Sequence, residues 1–265
     1  MLRTRILSSA VGIPIVIGAI WVGTSAVGAL VIVAAGIAGY EISRMSAPRI
    51  GNLNIFVMTV PLGMAVVGLL VGLEQGDWWL LAVVFIAGGI TAVTFELMRI
   101  VRGRASYPAI LGAGYLGALL AHGAPLRALD GSVDWVLTAI LITFATETAA
   151  YFVGTAFGKR RLAPIISPSK TWEGALGGIA VGTAAAVGLT VLLDLPIDTR
   201  EGAIIGVAAS AAAVGGDLVE SGFKRLCRVK DSGSIIPGHG GVLDRIDSLA
   251  PNLAVVYWMA IWFTP

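Results

Sequence analysis

The sequence predicts an all-α integral membrane protein, a polytopic bundle of about nine transmembrane helices with a cytoplasmic N-terminus. Of its 265 residues, 57% are hydrophobic and 13% are charged, and the mean hydropathy is +0.88. A globular domain carries roughly a quarter charged residues, because much of its surface must stay wetted. The 35 glycines fit helices that pack closely in a bilayer. A single cysteine rules out an intrachain disulfide, and a net charge of +2 argues against nucleic-acid binding.

Nine apolar runs approach the length of about 20 residues that a membrane span requires. The first two runs are nearly continuous, and we separate them at Gly23-Thr24-Ser25 because together they are too long for one pass. The predicted spans cover residues 6–22, 25–43, 54–73, 78–98, 106–123, 134–157, 172–193, 201–220 and 250–264. They form a single membrane domain over 1–265, with scaffold helices in 1–130 and the chemistry-bearing helices and loops in 131–265.

The basic residues predict the orientation of the spans. With the N-terminus inside, sixteen of the 18 Lys and Arg residues fall in inner segments, and only Arg127 and Arg200 fall outside. Lys and Arg concentrate in cytoplasmic loops. An eight-span arrangement, in which the first two runs form one helix, would place Arg3 and Arg5 on the opposite side of the membrane from Arg44. We therefore favour two separate helices at the N-terminus. Two inner segments, 158–171 and 221–249, are long and polar, and we expect the functional residues there.

The eighth predicted span runs into a polar stretch with helical spacing. Asp217, Glu220, Ser221 and Lys224 stand at i, i+3, i+4 and i+7, which places them on one face. Ionisable residues at the edge of a span are costly and often functional. An interfacial carboxylate paired with Lys224 explains the same positions, so both interpretations stay open on position alone.

The residues after this helix favour a phosphate-binding function. Pro237-Gly238-His239-Gly240-Gly241 cannot form a regular helix, and such a stretch can point several N–H groups at an anion. Asp244 and Asp247 follow, one helical turn apart. Carboxylates among basic residues suit a divalent cation that bridges phosphates. A loop that only touches anionic lipid explains the basic residues but neither the carboxylates nor the glycines.

The other inner segment admits a plainer interpretation. Ser169 or Thr171 could cap the seventh span, and Lys170 lies where it could meet an anion at that helix N-terminus. On these residues alone, a basic loop before a capped helix is favoured over a ligand site. Glu41 and Glu96, at the inner ends of two other spans, are expected to pair locally with Arg44 and Arg99.

The polar segments resemble the phosphatidate cytidylyltransferases, also called CDP-diacylglycerol synthases. The resemblance runs through Ser221-x3-Arg225 with Lys224, Lys230-Asp231-x-Gly233, and Pro237-x-His239-Gly240-Gly241-x2-Asp244-Arg245-x-Asp247. Two further stretches, Ser167-Pro168-x-Lys170-Thr171-x-Glu173-Gly174 and Ala150-Tyr151-Phe152-x-Gly154, are also similar to the family. The resemblance is firm from about 144 to 249. Just before the Ala150-Tyr151 pair, the family usually has Asp where this chain has Glu147.

The resemblance implies transfer of CMP from CTP to phosphatidic acid, which yields CDP-diacylglycerol and pyrophosphate in phospholipid biosynthesis. It implies Mg²⁺ held by Asp217 and Asp244, a site that K⁺ can share, and a homodimer. The expected location is the inner, cytoplasmic membrane, with the active site facing the cytoplasm and no nucleic-acid partner. For His239, a phosphate contact and a structural turn role stay open.

The residues expected to carry this reaction fall into three groups. The catalytic candidates are Asp217, Asp244, Lys224 and Lys230. The substrate-binding candidates are Ser167, Lys170, Ser221, Arg225, His239 and Arg245. Further candidates are Glu147, Glu220, Asp231 and Asp247.

Two other functions are weighed against this one. A CTP-dependent lipid kinase, acting on a polyprenol or phytol, would share the membrane character and the nucleotide, but the long motif around His239 favours the cytidylyltransferase. An ion-coupled transporter would also carry intramembrane carboxylates. A transporter should show two related halves, whereas here the polar chemistry lies in the C-terminal half and no repeat is visible.

Overall fold

The computed structural model describes residues 2–50, 55–74, 107–130 and 132–264, and these residues are mostly helical. The N-terminal elements are α1 (Leu2–Val22), α2 (Thr24–Ile50), α3 (Ile55–Glu74), α4 (Tyr107–Leu120) and α5 (Gly123–Ala128). The C-terminal elements are α6 (Ser132–Phe157), β1 (Arg161–Ala163), β2 (Ser167–Thr171), α7 (Trp172–Leu192), α8 (Thr199–Leu226), α9 (Leu243–Ile246) and α10 (Leu249–Phe263).

Six helices within the described residues are long and apolar enough to cross a membrane. They are α1, α2, α6, α7, α8 and the run through α9 and α10, while α3 carries a shorter apolar stretch, Val57–Leu73. The all-α, multi-pass membrane class is thereby confirmed. The predicted span at 78–98 lies outside the described residues, so the count of nine spans stays a prediction. The cytoplasmic position of the N-terminus stays a prediction as well.

The break between the first two helices lies where the sequence predicts it. Helix α1 ends at Val22, α2 begins at Thr24, and the intervening Gly23 has a φ of +130°. Glycine adopts this conformation without the Cβ clash that other residues meet. The N–H of Gly23 still donates to the Ala19 carbonyl at 3.2 Å, so one glycine ends α1 and starts a separate α2.

The described helices group into two compact units. The first unit comprises Met1–Ala128 and Phe223–Ile246, and the second comprises Leu129–Gly222 and Asp247–Pro265. The segment Phe223–Ile246, which contains the glycine-rich motif, therefore groups with the N-terminal helices. The sequence had suggested a division at residue 130, with this segment on the C-terminal side. Helices that the sequence presents as scaffold thus contact residues of the motif.

In the first unit, α2 packs directly against α3 through small residues. A Cβ on Gly39 would lie 2.9 Å from the carbonyl oxygen of Met58 on α3, closer than side chains tolerate. Close approach of this kind is typical of helix pairs in membranes, where association depends on van der Waals packing. Gly39 lies two residues before Glu41, so this contact fixes the part of α2 that carries the glutamate.

In the second unit, buried polar pairs tie three helices together. The Thr146 hydroxyl of α6 donates to the Ser210 hydroxyl of α8 at 2.9 Å. The Asn252 amide of α10 donates to the Thr143 hydroxyl of α6 at 2.7 Å. All four side chains are buried. Helices α8 and α10 are thus anchored to the same helix, α6, and the residues near their ends are held relative to one another.

The polar segment 158–171 is a β-hairpin, which the sequence analysis did not predict. Strands β1 and β2 are antiparallel, with Arg161 opposite Thr171 and Ala163 opposite Ser167. The Thr171 backbone is extended, and its hydroxyl accepts the N–H of Gly174 at 3.1 Å. Thr171 is therefore the N-cap of α7, which resolves the choice that the sequence left open between Ser169 and Thr171.

Candidate active site

Three carboxylates of the second unit come together where α8 approaches the start of α10. Asp217 and Glu220 lie one turn apart on α8, and Asp247 directly follows α9. One oxygen from each of the three lies within 4.8 Å of the other two. Glu220 is 5% exposed, and the two aspartates are half-buried. Oxygen ligands at this spacing are chemically suited to a hard divalent cation.

The β-hairpin brings a lysine to this carboxylate cluster. The Nζ atom of Lys170 forms an ion pair with Oδ2 of Asp217, and the Ser221 hydroxyl donates to Oδ1 of the same aspartate at 3.4 Å. The Lys170 and Asp217 side chains are 22% and 35% exposed, but the Nζ atom of Lys170 is itself buried in this contact. Lys170 thus contacts a carboxylate that lies about fifty positions later in the sequence.

Glu173 fixes the base of the hairpin against the first turn of α7. Its carboxylate accepts the backbone N–H of Lys159 at 3.1 Å and that of Arg160 at 3.2 Å. The N–H of Trp172 donates back to the Arg160 carbonyl at 3.0 Å. Lys170 directly precedes the N-cap residue Thr171. These hydrogen bonds therefore fix the backbone from which the Lys170 side chain extends. In the sequence, Glu173 belongs to a stretch that carries the resemblance, but no local pattern predicts this bracing role.

A second ion pair lies in the first unit. Lys224 Nζ lies 2.8 Å from Oδ1 of Asp244, and both side chains are largely buried, at 13% and 10% exposed. Asp244 also accepts the backbone N–H of Ser232 at 3.2 Å and that of Gly241 at 3.1 Å. Two catalytic candidates, Lys224 and Asp244, are therefore in direct contact, and the aspartate is held by a cation and two backbone donors.

The glycine-rich stretch forms a tight turn, as its composition predicts. Ile236 and Gly240 pair across it, with the Ile236 N–H donating to the Gly240 carbonyl at 2.9 Å. Gly238 and Gly240 have φ values of +79° and +90°, which glycine adopts without strain. The sequence suggested that N–H groups here meet a ligand anion. In the structure the described donors of Ser232 and Gly241 meet the carboxylate of Asp244 instead.

His239 contacts the N-terminal helix. Its Nδ1 lies 2.7 Å from the Ser8 hydroxyl of α1, and the Arg5 Nε donates to the Gly238 carbonyl at 2.9 Å. These contacts give the imidazole a structural partner on one nitrogen. They favour the turn-shaping role among the two that the sequence left open, and the phosphate contact stays a prediction.

The local pairing expected for Glu41 with Arg44 is wrong. Glu41 is 1% exposed, and its carboxylate accepts the N–H groups of Val242 and Leu243 and the hydroxyl of Ser232. Arg44 is exposed, and its guanidinium donates to the Tyr40 hydroxyl at 3.4 Å. A partner two hundred residues away leaves no local signal, so spacing alone misses this contact. Glu96 lies outside the described residues.

The other candidates lie at the surface or at strand positions. The exposed ones are Glu147 on α6, and Arg225, Lys230, Asp231 and Arg245 in the motif segment. Arg225 donates from Nη1 to the Val229 carbonyl at 3.4 Å. Ser167 begins β2, opposite Ala163. Exposure is compatible with contact to a bound anion, and the functional roles of these residues stay predictions.

Comparison with known proteins agrees with the motif assignment. A model described as the cytidylyltransferase family matches residues 3–263. A Pseudomonas aeruginosa protein named phosphatidate cytidylyltransferase is 34% identical over 281 residues, which covers all of both chains. A Brucella suis protein of the same name is 36% identical over 262 residues, which covers 97% of this chain and 92% of the relative.

A Bacillus subtilis phosphatidate cytidylyltransferase is 38% identical over 155 residues. In that case the match spans 58% of each chain, little more than half the length of the relative. The family match extends over nearly all of the sequence, and two relatives align across nearly their whole length. The chain therefore belongs to the cytidylyltransferase family.

Proposed function

We propose that this chain transfers the cytidylyl group of CTP to phosphatidic acid, forming CDP-diacylglycerol and releasing pyrophosphate. Relatives that match nearly its whole length are named for this activity. The structural observation that carries the proposal is a pair of lysine–carboxylate contacts, Lys170 with Asp217 and Lys224 with Asp244. All four residues belong to the motifs of the resemblance, and cations beside carboxylates suit a reaction between two phosphates.

The reaction joins two anions. An oxygen of the lipid phosphate attacks the α-phosphorus of CTP, and the bond from that phosphorus to the oxygen of the β-phosphate breaks. The lipid phosphate is already ionised near neutral pH, so the protein need not generate the nucleophile with a base. Its contribution is alignment and positive charge. Lys170 would supply such charge in the second unit, and Lys224, with the exposed Arg225, Lys230 and Arg245, would supply it in the first.

Asp217, Glu220 and Asp247 would hold Mg²⁺. Mg²⁺ usually takes one or two protein carboxylates together with substrate phosphate oxygens, so three carboxylates leave room for a second cation such as K⁺. Bound Mg²⁺ would polarise the α-phosphate and neutralise the leaving pyrophosphate. Asp244, which the resemblance implies as a metal ligand, keeps that role as a prediction.

Lys170 would change partners when the substrates bind. In the structure its ammonium neutralises Asp217. A divalent cation on Asp217 makes that neutralisation redundant, and the flexible four-carbon stem of lysine lets the ammonium turn to a phosphate. Lys170 would then bind CTP phosphate as a point charge, while the hairpin base stays fixed through Glu173.

The test of this function is the choice of acceptor. Purified protein in detergent micelles, given CTP labelled at the α-phosphate, should label phosphatidic acid in a Mg²⁺-dependent way and leave dolichol unlabelled. Chelation of divalent metal by EDTA should abolish the transfer. In a parallel reaction with CTP labelled at the γ-phosphate, label that enters dolichol, with no α-label in phosphatidic acid, would contradict the proposal and favour the lipid kinase.

The active site would face the cytoplasm of an inner-membrane protein that forms a homodimer. The distribution of basic residues supports this side, because sixteen of 18 lie in segments predicted to be inner. CTP is a cytosolic substrate, which requires the same orientation.

A labelling experiment tests this orientation across one helix, α7. In a Cys227→Ala background, Lys159→Cys precedes α7 and Arg200→Cys follows it, and both native side chains are exposed. An impermeant thiol reagent should label Arg200→Cys in intact cells and Lys159→Cys only after permeabilisation. The reverse pattern would contradict the cytoplasmic site.

A further inference from the structure

Glu41 is a buried carboxylate of the N-terminal helices that contacts the motif loop. It lies on α2 with 1% of its surface exposed. Its Oε1 accepts the N–H of Val242 at 3.0 Å, and its Oε2 accepts the N–H of Leu243 at 2.9 Å. The Ser232 hydroxyl donates to Oε2 at 3.3 Å. A buried charge is costly unless donors surround it, and here three donors do so.

The loop backbone is shaped to receive this carboxylate. A Cβ on Gly233 would lie 2.7 Å from Oε1 of Glu41, and a Cβ on Gly241 would lie 2.8 Å from each of its carboxylate oxygens. A Cβ on Gly241 would meet the Ser232 hydroxyl even before these oxygens. A side chain at either position would therefore crowd Glu41 or its donor Ser232, so the small size of both glycines suits this contact.

The same two backbone stretches bind Asp244. The Ser232 N–H and the Gly241 N–H donate to Asp244, while the Ser232 hydroxyl and the next two N–H groups, of Val242 and Leu243, donate to Glu41. Leu243 also begins α9, the turn that carries Asp244. Movement of the loop away from Glu41 would therefore move the donors that hold Asp244.

We propose that Glu41 is a positioning residue for the catalytic loop: it clamps residues 232–243 and thereby fixes Asp244 beside Lys224. The proposal rests on the proposed cytidylyl transfer, in which Asp244 and Lys224 take part. Glu41 itself contacts no reacting atom in this account. It acts through the hydrogen bonds of the loop, so its removal should alter the loop before it alters the rest of the first unit.

The deciding variant is Glu41→Gln. Glutamine keeps the size but offers one acceptor oxygen, and its amide NH2 would face an N–H or hydroxyl donor. We expect kcat to fall about 10- to 100-fold, with the KM for CTP changed less than threefold, if each lost bond weakens the clamp by the usual net worth of a hydrogen bond. Amide hydrogen exchange of peptides covering 232–243 should quicken about tenfold, while peptides from α6 and α7 exchange as before.

Glu201→Gln is the matched control, because among the described residues Glu201 accepts one backbone N–H, that of Asp198 at 2.8 Å. One acceptor oxygen satisfies one donor, so this variant should keep wild-type kcat and exchange. Wild-type kcat, or wild-type exchange over 232–243, in Glu41→Gln would overturn the proposal, whatever its melting temperature. Hydrogen exchange needs no turnover, so a wild-type protein that transfers no CMP would refute the proposed function without hiding the result for Glu41.

Ser232→Ala decides the question if Glu41→Gln does not fold. It removes one of the three donors to Glu41 and keeps the backbone N–H that donates to Asp244. Faster exchange at 242 and 243 with a reduced kcat would support the clamp. Unchanged exchange and unchanged kcat would overturn it.

Discussion

Asp217→Asn is expected to lower kcat by more than about 100-fold, the scale of a lost metal ligand. Asparagine keeps the size of the side chain but removes the charge that pairs with Lys170 and that would hold Mg²⁺. The loss should persist at saturating CTP, because it affects the reacting complex and not only its formation. The measurement is turnover of labelled CTP in detergent micelles, beside a melting curve for the purified variant.

Asp194→Asn is the matched control for this substitution. Asp194 lies between α7 and α8 with a φ of +50°, a conformation that asparagine adopts readily. Activity and melting temperature should both stay at wild-type values. Near-normal turnover in a well-expressed Asp217→Asn protein would remove Asp217 from the site.

Asp244→Asn is expected to cause a loss of similar size by a partly different route. It takes the counter-charge from Lys224 and weakens the acceptor that holds the Ser232 and Gly241 N–H groups. If Asp244 is also a metal ligand, as the resemblance implies, the Mg²⁺ concentration for half-maximal activity should rise. An unchanged Mg²⁺ requirement would exclude Asp244 as a metal ligand and leave it only the role of holding the loop 232–243 beside Lys224.

Lys170→Ala is expected to lower kcat/KM about 10- to 150-fold, with at least part of the defect in the KM for CTP. One charge-assisted contact to phosphate is worth roughly 1.5–3 kcal/mol, which converts to that range. A lysine binds phosphate in the ground state as well as in the transition state, so substrate affinity should fall along with rate. The measurement is kcat and KM for CTP in the same micelle assay.

Lys159→Ala is the control for Lys170→Ala. Lys159 is an exposed lysine before the same hairpin, and its contact to Glu173 runs through its backbone N–H, which alanine keeps. If Lys170 served only as the counter-ion of Asp217, Lys170→Ala would leave the KM for CTP unchanged and reduce the Mg²⁺ requirement. That result would exclude the phosphate contact.

The helices were predictable because hydropathy is a local property. Runs of apolar residues placed eight of the nine predicted spans on described helices, and Gly23 placed the break between the first two. The turn at Gly238 and Gly240 followed from composition in the same way. Asp217 and Glu220 could be placed on one face because helical spacing is fixed.

The contacts that assemble the site were not predictable, because they join distant residues. Nothing near Glu41 in the sequence indicates that Leu243 donates to it, and Arg44 offered a nearer partner. The hairpin was missed because strands of three and five residues leave little periodicity. The glycine-rich loop was predicted to point N–H groups at a ligand anion, whereas the Gly241 N–H meets the carboxylate of Asp244, so the ligand contact stays a prediction.

The position of the transferred phosphorus distinguishes cytidylyl transfer from phosphoryl transfer. Purified protein is given phosphatidic acid and Mg²⁺, with CTP labelled at the α-phosphate in one reaction and at the γ-phosphate in a parallel one. Cytidylyl transfer predicts that only the α-label enters the chloroform-soluble product, while the γ-label is released as pyrophosphate in equal amount. Appearance of the γ-label in the lipid, without the α-label, would contradict the account.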